Sequence, residues 1–293
     1  MSLADVLAVG TAARNLVFLG DPNQLPQVSQ GAIPEEAKRS VLQHLLGDET
    51  TVQPDRGIFL ERTWRLRPEL ARFTSEAYYS GRLECAEPCE SRSVAAGNGL
   101  FFRDVEHTGN GQISWEEARA VAAATEELLG TPYTGDDGVT RPLTERDVLV
   151  VTPYDAQVRA LRRTVPDGVR IGTVDKFQGQ APRGLASVFN SNRINVATSR
   201  AQCRVELFCS PRLLEADCKT VEHMRLANAL CRFVELAEVR TPSRSLASTS
   251  RSGRETVPVG VVEDVVELDT CDFHIHGNLL RGNAVTMRPS CPS

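Results

Sequence analysis

Short apolar segments alternate with amphipathic helical segments from residue 15 to residue 238, and this alternation limits the possible folds more than any other feature. Residues 148–151 (V-L-V-V) are continuously apolar, as strands buried on both faces of a parallel sheet are. Residues 114–129 contain the clearest helix, because Ser114-x-x-Glu117 is a capping box and alanines and leucines follow it. Strands that alternate with helices are typical of a parallel sheet covered by helices. We therefore predict an α/β fold with a parallel β-sheet flanked by helices.

The predicted elements follow one another through this whole region. Strands are expected at residues 15–19, 57–60, 100–104, 147–152, 169–173 and 205–209. Helices are expected at residues 3–9, 40–46, 69–79, 114–129, 156–165 and 223–238. Pro68 suits the first turn of the third helix, and Asp155 is expected to be the N-cap of the fifth. Residues 81–99 and 133–142 are polar or rich in turn residues, so they are expected to be loops.

Length, charge and cysteine usage limit the compartment and the partners. The 293 residues suffice for one large domain or two small ones. The formal net charge of -5 gives no general attraction for nucleic acid, so binding of a polyanion requires a local patch. No apolar run of about 18 residues and no signal peptide is visible. The eight cysteines are scattered, which favours buried thiols in a reducing compartment, and we expect a cytoplasmic protein.

The cysteine and histidine spacing predicts no metal site. Cys85 and Cys89 lack a second pair of ligands, and Cys271, His274 and His276 lie in a poorly organised tail. From residue 241 the chain is rich in Ser, Arg and Thr, as flexible linkers are. We predict one domain over residues 1–238, followed by a low-complexity linker and a poorly ordered tail over residues 239–293.

The stretch from residue 170 to residue 204 is the most informative about function. The strand expected at 169–173 gives way to a turn at Gln178 and Gly179, where a glycine lets the backbone approach a ligand closely. A short helix then presents Arg200 in its last turn, and an arginine fixed at a helix end suits a bidentate phosphate contact. From this stretch alone, an ordinary strand, loop and helix with an incidental arginine is an equal alternative.

Two earlier segments also place polar side chains at strand ends. Residues 20–26 (G-D-P-N-Q-L-P) follow the first predicted strand, at the edge where ligands bind in open α/β sheets. Gln24 can donate to or accept from a phosphate or a water, although a simple Asp-Pro turn is the alternative. Trp64 beside Arg65 offers a stacking surface next to a fixed cation. The alternative there is a core tryptophan with an arginine that extends to solvent.

Five segments together resemble the motifs of superfamily 1 helicases. Residues 20–26 resemble motif III, 152–157 motif IV, 173–180 motif V and 195–201 motif VI, and 63–68 look like the aromatic-Arg-x-x-Pro segment that follows motif III. That segment occurs in the group that contains the RNA-surveillance helicase and the nuclease-helicases. The resemblance covers the predicted domain and is greatest to bacterial proteins that join a RecB-like nuclease to such a helicase. It implies the RecA-like fold of P-loop NTPases.

The resemblance also implies a role for nine residues. Gln24 senses the γ-phosphate of ATP, Arg65 contacts that phosphate, and Arg200 is the arginine finger. Trp64, Gln178 and Gly179 contact the nucleotide, Tyr154 and Gln157 lie near the nucleotide or the path of the nucleic-acid strand, and Thr173 contacts the backbone of single-stranded DNA or RNA. The chemistry agrees, because the loose transition state of phosphoryl transfer carries negative charge that a positioned guanidinium stabilises.

The chain departs from the family pattern in two places. It contains no Gly-Lys pair, so the phosphate loop of a first motor domain is absent, and in the family the acidic motif that holds Mg²⁺ lies just before the segment that corresponds to residues 1–5. We therefore expect the second motor domain, with a remnant of the first in residues 1–40. Only residues 181–191 separate motifs V and VI, so either residues 186–189 form a stub strand or the sheet lacks an inner strand.

These departures leave two functions open. The chain is the second motor domain of an ATP-dependent helicase or translocase, working with a first RecA-like motor domain in cis or in trans. Alternatively, it is a catalytically inactive remnant or a nucleic-acid-binding module. In both cases the isolated chain is expected not to hydrolyse ATP. The missing phosphate loop also argues against a P-loop kinase or another complete NTPase.

Overall fold

The computed structural model describes residues 1–25, 39–47, 49–174, 191–215 and 220–240, together with positions 34, 37 and 218. The helices are α1 (Leu3–Val9), α2 (Val41–Leu46), α3 (Pro68–Tyr78), α4 (Glu87–Glu90), α5 (Trp115–Leu128), α6 (Asp155–Leu161), α7 (Ser191–Thr198) and α8 (Val221–Leu236). Short 3₁₀ helices lie at Gly10–Ala12, Glu145–Asp147 and Pro211–Glu215. The strands are β1 (Arg62–Thr63), β2 (Glu84–Cys85), β3 (Ser93–Val94), β4 (Gly99–Asp104), β5 (Pro132–Thr134), β6 (Thr140–Pro142), β7 (Leu149–Thr152), β8 (Arg170–Thr173), β9 (Arg204–Cys209) and β10 (Glu238–Val239).

Parallel strand pairs form the framework of the described fold. β4 lies between β10 and β9, and both neighbours run parallel to it. β7 pairs with β8, and β1 with β2, also in parallel. Helices α3 and α8 pack against β4, and α5 packs against β9. β4 is buried along most of its length, which explains the apolar run Leu100–Phe102, while its buried Arg103 forms ion pairs with Glu127 and Glu206. The predicted α/β fold with parallel strands flanked by helices is confirmed.

Two predicted loops contain regular structure. Residues 133–142 contribute to a hairpin in which β5 pairs with β6, and β3 joins it to make an antiparallel sheet. A hydroxyl pair across the hairpin, Thr134 to Thr140 at 2.9 Å, and the guanidinium of Arg141 over the ring of Tyr133 stabilise it. Residues 81–99 contain β2, α4 and β3. The loop predictions were wrong here because turn-forming residues also connect very short strands.

Two predicted strands are absent from their predicted positions. Residues 15–19 have no regular secondary structure and pair with no strand in the part of the chain that the structure describes. Most of their side chains are exposed, at 84% for Val17 and 92% for Leu19. Residues 57–60 likewise precede the strand that actually forms at β1, and Ile58 is 88% exposed. The apolar sequence predicted burial correctly only where a neighbouring strand is present.

Helix α6 differs from its predicted bounds at both ends, and the predicted capping box of α5 is incomplete. The N-cap of α6 is Tyr154, whose backbone is extended, while Asp155 is already helical. This helix ends at Leu161, four residues before the predicted end. Ser114 caps α5 by accepting from the Glu117 amide at 3.2 Å, but the Glu117 carboxylate bonds to His107 at 2.7 Å. The predicted capping box is therefore only half formed.

Two apolar clusters form the core. The larger one joins α3, β4 and α8 around Phe73, which is fully buried and meets Phe233 edge to face with ring centroids 5.3 Å apart. The smaller one joins α5, α6 and β8 through small and aliphatic side chains. Among the described helices, none has the length and apolar character needed to span a bilayer. The larger cluster supports the turns that carry the candidate site.

Candidate functional site

Two arginines from distant parts of the sequence lie side by side. Arg200 follows α7, and Arg65 lies in the turn before α3, where its Nη1 donates to the Ser199 carbonyl at 3.4 Å. Burial, and then the positive charge of Arg65, lower the pKa of Arg200. No carboxylate among the described residues forms a salt bridge with either guanidinium. Two adjacent positive charges that have no carboxylate partner favour the binding of an anion at this position.

A third, buried arginine fixes the turn that carries Trp64 and Arg65. Arg92 is 7% exposed, and its guanidinium donates to the Arg65 carbonyl at 2.7 Å and to the Trp64 carbonyl at 3.3 Å. Its Nη2, which makes the bond to Trp64, also donates to Asp136 on the β5–β6 hairpin at 2.8 Å. The Trp64 side chain itself is 66% exposed, so the alternative of a core tryptophan is wrong. An indole on a rigid turn beside two guanidiniums is available to stack on a flat ligand.

The turn at residues 21–24 has its own network of hydrogen bonds. The backbone N–H of Asn23 and the side-chain amide of Gln24 both donate to the Asp21 carboxylate, at 2.9 and 3.0 Å. The Asn23 side chain donates to the carbonyls of Thr50 and Tyr78, at 2.9 and 2.8 Å. More than an Asp-Pro turn is therefore present, because the segment is tied to the end of α3.

Helix α7 connects this turn with the arginine pair. Asn192 donates from its side chain to the Gln24 carbonyl at 3.1 Å, and Asn195 donates to the Asn23 carbonyl at 2.9 Å. Arg200 follows the last turn of this same helix. The structure therefore brings Gln24, Arg65 and Arg200 to one region. The sequence did not identify Asn192 or Asn195 as site residues. Asn195 begins the segment that resembles motif VI, and Asn192 lies three residues before it.

Three predicted site residues belong to the β7–β8 part of the fold. Thr173 ends β8 beside Thr152 of β7 and is 2% exposed. Tyr154 follows β7 and is half-buried, and this burial raises its pKa. Gln157 is buried, and its side chain accepts from the Ser114 amide at 2.8 Å and donates to the Ser114 carbonyl at 2.9 Å. Gln157 therefore ties α6 to the start of α5, and its contact with a nucleotide stays a prediction.

The remaining two predicted site residues, Gln178 and Gly179, lie outside the described residues. Their contacts with a nucleotide stay predictions. The link at residues 181–191, where either a stub strand or a missing inner strand was predicted, also lies almost entirely outside the described residues. The tail beyond residue 240, with Cys271, His274 and His276, lies outside them as well. Among the described residues, no three His, Cys, Asp or Glu side chains gather as a metal site.

Removing the buried Arg92 is expected to destabilise the turn that carries Trp64. In Arg92→Met, the Trp64 and Arg65 carbonyls lose their donor and Asp136 its partner, and we expect a loss of about 1–3 kcal/mol in the free energy of unfolding. Urea unfolding followed by circular dichroism measures this loss. Acrylamide quenching in a Trp115→Phe background reports whether Trp64 becomes more mobile.

The matched control for Arg92 is Arg72, which makes an exposed ion pair with Glu76 on α3. Arg72→Met is expected to change stability by less than about 0.5 kcal/mol, because exposed i,i+4 pairs contribute little. Equal losses in the two variants would show that Arg92 is no more than a surface cation.

The fold and the site define an α/β domain that presents paired arginines to an anionic ligand. Comparison with protein families agrees, because the family model described as "AAA domain" matches residues 37–212. This match covers more than half of the chain. The chain therefore belongs to the AAA domain family.

Curated relatives place this domain among helicases. The chain is 24% identical over 255 residues to "Helicase sen1" of Schizosaccharomyces pombe, covering 74% of the chain and 14% of that protein. It is 24% identical over 239 residues to an uncharacterized ATP-dependent helicase of Methanocaldococcus jannaschii, covering 70% and 33%. It is 26% identical over 268 residues to "DNA-binding protein SMUBP-2" of Mesocricetus auratus, covering 78% and 25%. The chain spans a third or less of the length of these relatives.

Proposed function

We propose that this chain acts as the second RecA-like motor domain of a superfamily 1 helicase or translocase and supplies the arginine finger for ATP hydrolysis. The observation that carries this proposal is the pairing of Arg65 with Arg200, two guanidiniums without an acidic partner among the described residues. Of the fusion types within the family, the RecB-like nuclease-helicases are the nearest by motif pattern.

The paired arginines suit the chemistry of phosphoryl transfer. The transition state is loose, and its negative charge spreads over the oxygens of the transferred phosphoryl group. Arg200 comes from the end of α7 and Arg65 from a turn held by Arg92, so both cations are pre-positioned. Pre-positioned charges stabilise the transition state without reorganising during the reaction. Arg200 acts as the finger, while Arg65 binds the same phosphate in the ground state.

ATP is the substrate that fits this half-site. Trp64 offers an exposed ring for the base, and the Gln24 carbonyl is tied to Asn192 at the start of α7, the helix that leads to Arg200. Following the motif resemblance, we assign Mg²⁺ and the phosphate loop to a first motor domain. When bound, Mg²⁺ neutralises phosphate charge, and the residues of this chain orient the nucleotide from the opposite side.

The exposed apolar segment at residues 16–19 supports a partner domain. Val17 and Leu19 are exposed, and they border a cavity of about 290 Å³ that also touches Val41 and Leu42 of α2. An exposed apolar surface of this kind marks a contact with another domain. We assign this surface to the first RecA-like motor domain, in cis or in trans.

Single-stranded DNA or RNA is proposed to cross the ends of β7 and β8. Tyr154 follows one strand and Thr173 ends the other, so their groups lie at the carboxyl edge of a parallel pair. That edge is where open α/β sheets bind ligands. The half-buried ring of Tyr154 suits base stacking, whereas Thr173 is 2% exposed and offers little surface for the backbone contact that its motif position implies.

The proposal is tested by reconstitution. The first motor domain of the archaeal relative is added to this chain, and ATP hydrolysis is measured with and without single-stranded DNA or RNA. Neither part alone is expected to hydrolyse ATP, whereas the mixture hydrolyses it and the nucleic acid stimulates the rate. No hydrolysis by the mixture at any ratio contradicts the proposal and favours the non-catalytic alternative. A binding titration at two salt concentrations then reveals whether phosphate contacts survive.

A further inference from the structure

A tyrosine outside every motif joins the turn at residues 21–24 to α7. Tyr79 follows α3 and is 8% exposed. Its hydroxyl donates to the Asp21 carboxylate at 2.5 Å and accepts from the Asn195 side chain at 3.0 Å. Along the chain, Tyr79 lies 58 residues after Asp21 and 116 residues before Asn195. One hydroxyl therefore bridges two segments that local sequence does not connect.

The Asn195 end of this bridge is rigid. Asn195 is fully buried, and its amide nitrogen donates both to Tyr79 and to the Asn23 carbonyl, at 3.0 and 2.9 Å. Its amide oxygen has no partner among the described residues, so its orientation depends on these two bonds. The Asn195 carbonyl also accepts from the Ser199 amide at 2.9 Å, one residue before Arg200. The position of Tyr79 is thereby transmitted to the end of α7.

The Asp21 end of the bridge leads to Gln24. The Asp21 carboxylate oxygen that accepts from Tyr79 also accepts from the Gln24 side chain at 3.0 Å. Burial and the adjacent Asp21 charge raise the pKa of Tyr79, so its hydroxyl stays protonated and remains a donor at neutral pH. A continuous path of hydrogen bonds thus runs from the Gln24 amide through Tyr79 and Asn195 to the end of α7.

We propose that Tyr79 is a positioning residue that keeps Gln24 in register with Arg200. The inference rests on the proposed function, in which Gln24 senses the γ-phosphate and Arg200 stabilises its transfer. A shift of the turn at residues 21–24 then moves α7, because buried hydrogen bonds at both ends of the bridge resist separation. Tyr79 touches neither nucleotide nor nucleic acid in this scheme.

The neighbouring tyrosine provides a matched control. Tyr78 is 6% exposed, but its hydroxyl has no hydrogen-bond partner among the described residues. Tyr78→Phe and Tyr79→Phe each remove one buried hydroxyl at the end of α3. Only the second breaks the bridge, so general effects of a lost hydroxyl are the same in both variants.

The first test is hydrogen–deuterium exchange of the full chain, followed segment by segment. Tyr79→Phe is expected to speed exchange about tenfold both in residues 21–25 and in residues 192–200, since each end loses a hydrogen bond. Tyr78→Phe is expected to leave both segments unchanged. Unchanged exchange in residues 192–200 of Tyr79→Phe, or an equal rise everywhere in the chain, overturns the proposal.

The second test uses the reconstituted assembly and separates KM from kcat. Tyr79→Phe is expected to lower kcat about tenfold while KM for ATP changes less than about twofold, because a positioning defect appears in the transition state. Tyr78→Phe is expected to match the original chain. A full kcat in Tyr79→Phe contradicts the proposal. An original chain that hydrolyses nothing in the assembly contradicts the proposed function instead, and the exchange measurement alone then decides whether Tyr79 couples the two segments.

Discussion

Replacing Arg200 with alanine is expected to lower ATP hydrolysis by the reconstituted assembly about 10³-fold, the lower end of the range for arginine fingers. The reason is local, because Arg200 and Arg65 are the paired cations that face no acid among the described residues. Arg200→Lys keeps the charge but loses the planar fork, so an intermediate loss is expected. Single-turnover hydrolysis with saturating ATP measures the effect on the chemical step.

Two comparisons make the Arg200 result specific. Arg119→Ala removes an exposed arginine from α5 and is expected to leave the rate unchanged. Urea unfolding of Arg200→Ala, followed by circular dichroism, is expected to match the original chain within about 1 kcal/mol, because Arg200 is only half-buried and forms no salt bridge among the described residues. A stable Arg200→Ala variant that keeps more than about a tenth of the activity rules out the arginine-finger role.

The sequence predicted the framework where burial is continuous. Residues 100–104 were expected to form a strand, and β4 forms at Gly99–Asp104 because Leu100, Phe101 and Phe102 are buried. The helix after Pro68 was also predicted, since proline favours the first turn and apolar residues follow at helical spacing. Both signals are local, so they are readable without knowledge of the rest of the fold.

The polar network of the site was not predictable in the same way. Tyr79 bonds to Asp21, 58 residues earlier, and to Asn195, 116 residues later. No local sequence pattern predicts hydrogen bonds over such separations. Gln157 illustrates the same difficulty, because its motif position suggests a ligand contact and gives no sign of the two hydrogen bonds that join its side chain to the backbone of Ser114. Resemblance identifies which residue types occur at a position, but hydrogen bonding decides which of them remain available.

Phe73→Ala is expected to cost about 3–5 kcal/mol in the free energy of unfolding, the largest stability effect of any change considered. Phe73 is fully buried, and its ring packs edge to face on Phe233 and on Tyr78, with centroids 5.3 and 6.1 Å away. Removing it leaves a cavity between α3, α8 and β4 that rigid neighbours fill poorly. Since domains are stable by only about 5–15 kcal/mol, the variant is expected to unfold at much lower urea concentration.

The control for Phe73 is Met224 on α8, which is 39% exposed, and Met224→Ala is expected to cost less than about 1 kcal/mol. The loss at Phe73 also bears on the site, because Tyr78 and Tyr79 end the helix that this ring anchors. Hydrogen–deuterium exchange below the unfolding transition is therefore expected to rise in residues 21–25 and 192–200 of Phe73→Ala as well. A variant that loses stability but keeps these segments protected would show that the bridge through Tyr79 holds α7 independently of the core beneath it.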